Sequence, residues 1–372
     1  MRRRHDSGAA VWFNGSMTAR QPIGGPAAWH GRTLAPEAWT RPLDGTQIAA
    51  LDGALRQVNQ RGLPMLAIAR EDFPLPGLEP LVADILAALE DGTGMVRLTG
   101  FPAERYSLDD LRRLFWGLGT HLGTAVNQSA RGEWIGEVRD ESGDRAPSYV
   151  EQGPGKVKSS RARARSNGPL RFHTDRCDVI GLLCARNSMT GGVSKLASAV
   201  TIHDEMLKRR PDLLDVLFED FWRSRPEDED GMYERPYFAL PVFGMERDRL
   251  TTQYSRTYVE QAQEYPEVPR LTPAQLAAMD LLAELAEEVC HHAPFAVGDM
   301  QFVNNHVVFH GRTAYEDDRA SGRSRLLLRL WLSPPNSRPL PAHFAHAWHA
   351  TAPGAVRGGI PAPQKPAEPA LG

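Results

Sequence analysis

No apolar run in this chain of 372 residues approaches the ~20 residues needed to cross a bilayer. The opening stretch, "MRRRHDSGAAVWFNG", is basic but lacks the long apolar segment of a secretory signal. Cysteine is scarce: Cys177, Cys184 and Cys290 are an odd number without paired spacing. That argues against a disulfide framework and reads as reduced thiols in a cytoplasmic protein. Charge of one sign is also lacking. Lys and Arg number 43 against 46 Asp and Glu, a net of −3, so no cationic excess draws the chain to nucleic acid or a membrane surface. No internal repeat is visible. A hydrophobic fraction of 41% with 24% charged residues is that of a soluble globular protein long enough to bury a full core.

Residues 1–45 are rich in Gly, Pro, Arg and Ala without periodicity and read as a flexible extension. Residues 346–372 read as a tail whose Pro/Ala/Gly-rich end, from Pro353, is expected to be disordered. Between them, 46–345 reads as one domain of irregularly mixed helices and strands. "LEPLVADILAALEDG" places Leu81, Ile85 and Leu89 on one helical face. Ser107 with Asp110, and Thr272 with Gln275 before Pro273, mark two capped helix starts. The second helix carries an apolar stripe of Leu276, Met279, Leu282, Ala286 and Val289. Short β-rich runs occupy 95–101, 178–184, 237–243, 250–255, 301–305 and 325–333. Their connections are too irregular for a repeating βαβ sheet. An α+β fold is expected, with a double-stranded β-helix (jelly roll) core and flanking helices. The long polar segment 127–169 is expected to act as a lid, since it directly precedes the most informative motif.

That motif is "FHTDRCD". In a strand, residues i and i+2 share a face, so His173 and Asp175 can reach one cation. The similar pair His203 and Glu205 lies where a helix begins, where the two side chains diverge by about 200°. It is read as structural. A third ligand must come from a distant strand, and "FVNNHVVFHGRT" offers His306 and His310. Two imidazoles and one carboxylate are the facial triad of non-haem Fe(II) oxygenases, although zinc accepts the same set. The run "GRSRLLLRLWLS" sets Arg325 and Arg329 on one face of a very apolar strand. Buried guanidiniums there call for an anion, and the planar fork of arginine suits a carboxylate.

In order, "FHTD", "GLLC", "GGVSKLASAVTIHDEML", "GDMQFVNNHVVFHGRT" and "RSRLLLRLWLSPP" resemble the TauD/TfdA family of Fe(II)- and 2-oxoglutarate-dependent dioxygenases, over roughly residues 95–340. The resemblance implies that His173, Asp175 and His310 are catalytic iron ligands. It implies that Arg325 and Ser194 hold the far carboxylate of 2-oxoglutarate, and that Arg329 contacts substrate. His310 is favoured over His306 by its spacing to Arg325. Relatives often read Asp-Asn-Arg where this chain has Asn304-Asn305-His306, which puts neighbouring contacts, not the triad, in question. The implied cofactors are Fe(II), 2-oxoglutarate as co-substrate and O₂. The implied reaction hydroxylates an unactivated C–H bond of a small polar or anionic molecule, releasing succinate and CO₂. Desaturation, epoxidation or ring closure would start from the same hydrogen abstraction. The other readings are a zinc-dependent hydrolase and a non-catalytic metal-binding jelly roll. Self-association into a homo-oligomer is left open.

Overall fold

Period-two alternation in "RLLLRLWLS" sets the architecture. Leu328, Leu330 and Leu332 point to one face and pack with Leu114, Phe115 and Leu118. Leu327, Arg329 and Trp331 point to the other face, where they border interior cavities. The strand is therefore a wall between an outer helical layer and a hollow interior. The computed structural model describes residues 21–141, 165–226, 229, 232–318 and 320–361.

The strand Leu326–Ser333 pairs antiparallel with Val179–Arg186 on one edge. On its other edge lie the short strands Thr124–Ala125 and Gly136–Val138. Beyond Val179–Arg186 come Met300–Asn304 and Met95–Thr99, both antiparallel to their neighbours. Thr40–Pro42 then closes this sheet in parallel. A second, wholly antiparallel sheet runs His291–Ala293, Ser194–Ser198, Val308–Arg312, Leu170–His173. The two sheets form the jelly roll, and one apolar cluster draws on both, including Ile180, Val303 and Trp331 with Phe172, Leu196 and Phe309. Helices Gly45–Gln60, Glu79–Glu90 and Leu108–Leu122 cover the large sheet. Helices Ala199–Arg209 and Pro273–Val289 cover the small one. Among the described residues, no helix is long and apolar enough to cross a membrane.

Both expected capping boxes form, at Ser107/Asp110 and Thr272/Gln275. The apolar stripe of the second helix is shifted, however. Leu276 is exposed, and Ala278 and Leu285 join Met279, Leu282, Ala286 and Val289 inside. The run 237–243 is two strands, Tyr237–Pro241 and Phe243–Glu246. They part at Val242, whose N–H turns to Leu217 O. The described parts of the terminal segments, 21–45 and 346–361, are packed; residues 1–20 and 362–372 lie outside the described residues. From residue 21 the chain is packed: Asp204 accepts the N–H groups of Ile23 and Gly24, and Trp29 and Trp39 are buried. Large aromatics in a Gly/Pro-rich stretch anchor it despite its composition. Near the other end, Trp348, Arg357 and Ile360 are buried in the same way.

Candidate active site

His173 ends the strand Leu170–His173, and His310 sits in mid-strand of Val308–Arg312. The two are directly paired across the sheet, with ring centroids 4.3 Å apart. Directly opposed residues bring their Cβ atoms within about 5 Å, so pairing alone aligns the two imidazoles. Asp175 follows two residues later, and one ligand atom from each of the three lies within 4.8 Å of the others.

The protonation pattern fits a cation. His173 Nδ1 lies 2.9 Å from Arg171 O. A carbonyl only accepts, so Nδ1 carries a proton, and Nε2 is the ring atom that faces Asp175. Nε2 lies 3.6 Å from Asp175 Oδ1, so that one cation could be reached by both atoms. Burial, reinforced by the charge of His173 and Arg329, pushes the His310 pKa down to about 3, so this ring is neutral and ready to ligate. Its Nδ1 is buried without a partner among the described residues. Burial alone would raise the Asp175 carboxyl, but Arg329, both imidazoles and the Trp331 indole bring it below the ordinary carboxylate value.

Asp175 is held on two sides. Trp331 Nε1 donates to Oδ2 at 2.8 Å, leaving Oδ1 turned toward the histidines. Asp175 N donates to Asn305 Oδ1 at 2.9 Å, and Asn305 Nδ2 donates to Cys177 O. Sequence reasoning missed Trp331, although it lies two residues from Arg329 on the same face. It also left open what the Asn304-Asn305-His306 stretch does, and this pinning of the turn that carries Asp175 is the answer. Trp331→Phe keeps the ring but removes the donor. Outer partners of metal ligands typically contribute 10–100-fold in affinity. Mn(II) binding to this variant, titrated by electron paramagnetic resonance, is expected to weaken by about tenfold.

His306 has a different task. Its Nε2 donates to Asp178 Oδ1 at 2.7 Å and its Nδ1 accepts from Thr251 Oγ1, so neither nitrogen is left for a metal. His203 is likewise buried, with Nδ1 on Asp204, within the helix expected there. Burial lowers the His306 pKa to about 4 against an ordinary 6.5, outweighing the pull of Asp178. Between those values the unfolded chain binds the extra proton and the folded chain does not. Stability is therefore expected to fall as pH drops from 6.5 toward 4, read as a declining melting temperature across that window.

Two cavities meet at the triad. Asp175 borders the larger, of about 110 Å³, and His310 the smaller, of about 50 Å³; His173 and Arg329 border both. The smaller cavity also holds Arg325, Ser194 and Gln301. Arg325 is 4% exposed, and among the described residues it makes no salt bridge and leaves Nη1 without a partner. Burial and the neighbouring Arg312 pull its pKa down to about 10. Gly192, at φ +68°, backs the guanidinium: a Cβ there would stand 3.0 Å from Arg325 Nε. Ser194 Oγ accepts from Gln301 Nε2 at 3.3 Å, leaving its own hydrogen to donate. Arg329 is engaged differently, with Nε on Gln128 Oε1 at 2.7 Å and Nη1 3.5 Å from Asp175.

Of the segment 127–169, residues 142–164 lie outside the described residues, including Lys156, Lys158, Arg161 and Arg163. Arg165 pairs with Glu133 and Glu141. Cys177 is fully buried, and burial raises its thiol well above the ordinary value, which makes it inert.

Residues 59–331 match the family described as taurine catabolism dioxygenase TauD, TfdA family. The chain belongs to this family. It is an oxidoreductase, an Fe(II)- and 2-oxoglutarate-dependent dioxygenase, and its cofactors are Fe(II), 2-oxoglutarate and O₂. Relatives include the FR-33289 synthase of Streptomyces rubellomurinus, 30% identical over 88% of this chain and 96% of that protein. Another is the taurine hydroxylase-like protein SAT17 of Stachybotrys chartarum, 27% identical over 86% of this chain and 84% of that one. The fold is shared with asparagine oxygenase in complex with Fe(II), 3-hydroxyasparagine and succinate. That match has a TM-score of 0.60 and 16% identity, over 79% of this chain and 93% of that one.

Proposed function

We propose that His173, Asp175 and His310 are the ligands of Fe(II), and that the smaller cavity holds 2-oxoglutarate with its far carboxylate on Arg325 and Ser194. The observation that carries this is the junction of two cavities at the triad, one of them containing a buried guanidinium without a counter-ion among the described residues. A hydrolase built on the same ligands has no use for that guanidinium. The larger cavity receives a small polar or anionic substrate and exposes one of its C–H bonds to the metal, with hydroxylation as the outcome. Asparagine oxygenase and the iron oxygenase OrfP, which hold hydroxyasparagine and hydroxyarginine in their structures, are consistent with a substrate of that size. A cytoplasmic setting fits the three unpaired cysteines.

When bound, iron and 2-oxoglutarate together supply the O₂-derived oxidant for the C–H bond. The protein orients and shields. Arg325 would hold one carboxylate of the co-substrate, with Ser194 donating to it, which would fix its direction. Trp331 and Asn305 hold Asp175 so that Oδ1 is the oxygen that would meet the metal. Arg329, between the cavities, is placed to meet an anionic group of the substrate, and the apolar walls, including Leu182, Val303 and Leu327, keep the site dry. The test is conversion of 2-oxoglutarate to succinate under air with added Fe(II), across a panel of small amino acids and organic acids. Succinate formation that rises with one panel member, matched by hydroxylated product, is the expected result. Absence of succinate with every member and in its slow uncoupled form contradicts the proposal.

A further inference from the structure

The carboxylate ligand sits on the turn 174–178, and the chain beyond the family match at residue 331 returns to that turn. Arg357 is 2% exposed. Its Nε donates to Asp178 Oδ1 at 2.8 Å and its Nη2 to Arg338 O at 2.7 Å. Asp178 Oδ1 is the same atom that accepts from His306 Nε2, and Asp178 O accepts from Asn305 N at 2.9 Å. Asn305 in turn receives the N–H of Asp175. Two residues past Arg357, Gly359 N donates to Arg176 O at 2.7 Å, on the residue next to the ligand. Gly358 lies so close that a Cβ would stand 2.7 Å from Arg176 O. Ile360 N then bonds Asn127 O, Asn127 Nδ2 returns to Ile360 O, and Ile360 borders the larger cavity.

We infer that Arg357–Ile360 forms a brace that positions the Asp175 turn for metal binding and supplies one wall of the substrate cavity. Asn305 grips the turn from one side, and the brace grips it from the other. Arg357 is thus a positioning residue, acting on the metal through Asp178, His306 and Asn305 rather than by touching it. An arginine is needed because three directions are served at once: the Asp178 carboxylate and the carbonyls of Arg338 and Ala352. The inference rests on the assignment of Asp175 as a metal ligand.

The experiment is Mn(II) binding to the full chain without co-substrate, read by loss of the free-ion electron paramagnetic resonance signal, alongside thermal melting of the metal-free protein. Gly359→Ala places a Cβ 3.0 Å from Asn127 O and Val126 Cβ at a residue with φ +73°, shifting the brace while leaving every charge paired. It is expected to weaken Mn(II) binding by about tenfold with a near-native circular dichroism spectrum. Arg357→Ala is expected to weaken it further, and Arg357→Lys, which restores the charge but not the fork, to recover only part. A chain ending at residue 361 should bind as wild type, because the brace is intact. Wild-type affinity in Gly359→Ala overturns the inference whether or not Arg357→Ala folds. Wild-type protein that fails to bind Mn(II) overturns the metal-site reading instead, so the two failures are distinguishable.

Discussion

Arg325→Met is expected to raise the concentration of 2-oxoglutarate needed for half-saturation by about 30-fold or more, while the metal-free protein melts at or above the wild-type temperature. The two effects have opposite signs if, as proposed, the guanidinium serves the co-substrate and not the fold. In the absence of the co-substrate, Arg325 has no carboxylate partner among the described residues, and burial already draws its pKa down to about 10. A depressed pKa on a cation means that folding opposes its charge, so an apolar side chain of similar length relieves that cost. With the co-substrate bound, removing the guanidinium strands a buried carboxylate, which costs roughly 2–5 kcal/mol, or about 30-fold to several thousandfold in affinity. Isothermal titration of 2-oxoglutarate against the metal-loaded protein, with melting curves of the metal-free form, reads both. A variant that binds normally, or one that simply unfolds, would show Arg325 to be structural.

Asp175→Ala is expected to abolish succinate formation and to weaken Mn(II) binding by more than the roughly 100-fold upper range for outer partners. Two imidazoles remain, and neither carries a negative charge to offset that of a divalent ion. The loss extends to the surroundings. Trp331 Nε1 loses its acceptor, and Arg329 loses its nearby carboxylate. The backbone of the turn keeps its bond to Asn305, which involves the main chain of residue 175 and not its side chain. The variant should therefore fold, and circular dichroism with an unchanged secondary structure separates loss of the ligand from loss of the protein. Normal Mn(II) affinity in a folded Asp175→Ala protein would remove the carboxylate from the metal site.

The triad was legible because a strand imposes a period of two, so His173 and Asp175 fall on one side and the helical pair at 203 and 205 does not. The burial of Arg325 was legible because a guanidinium in a leucine-rich strand lies among apolar neighbours. The contacts that aim the triad were not. Trp331 looks like any core aromatic until its indole N–H is placed beside Asp175, and Asn305 acts through a backbone amide that no side-chain pattern reports. His306 resembled a ligand in the sequence and proved to be one arm of a buried Asp178–Arg357 network. The terminal segments read as loose from composition, yet a few anchors (Trp29, Trp39, Arg357, Ile360) hold their described parts, 21–45 and 346–361. Composition averages over a window, and anchoring depends on single residues. The hairpin turn at Arg247-Asp248, with φ of 49° and 60°, escaped for a related reason, since it lacks the glycine that marks such turns.

Anaerobic protein loaded with Fe(II) and titrated with 2-oxoglutarate tests the central claim most directly, through the weak visible charge-transfer absorption that a chelated 2-oxo acid gives with ferrous iron. The band is predicted to appear in the wild type, to be absent in His310→Ala, and to need far more 2-oxoglutarate in Arg325→Met. A folded wild-type protein that binds iron but develops no band would contradict it, and would mean that the small cavity beside the triad is not the co-substrate site.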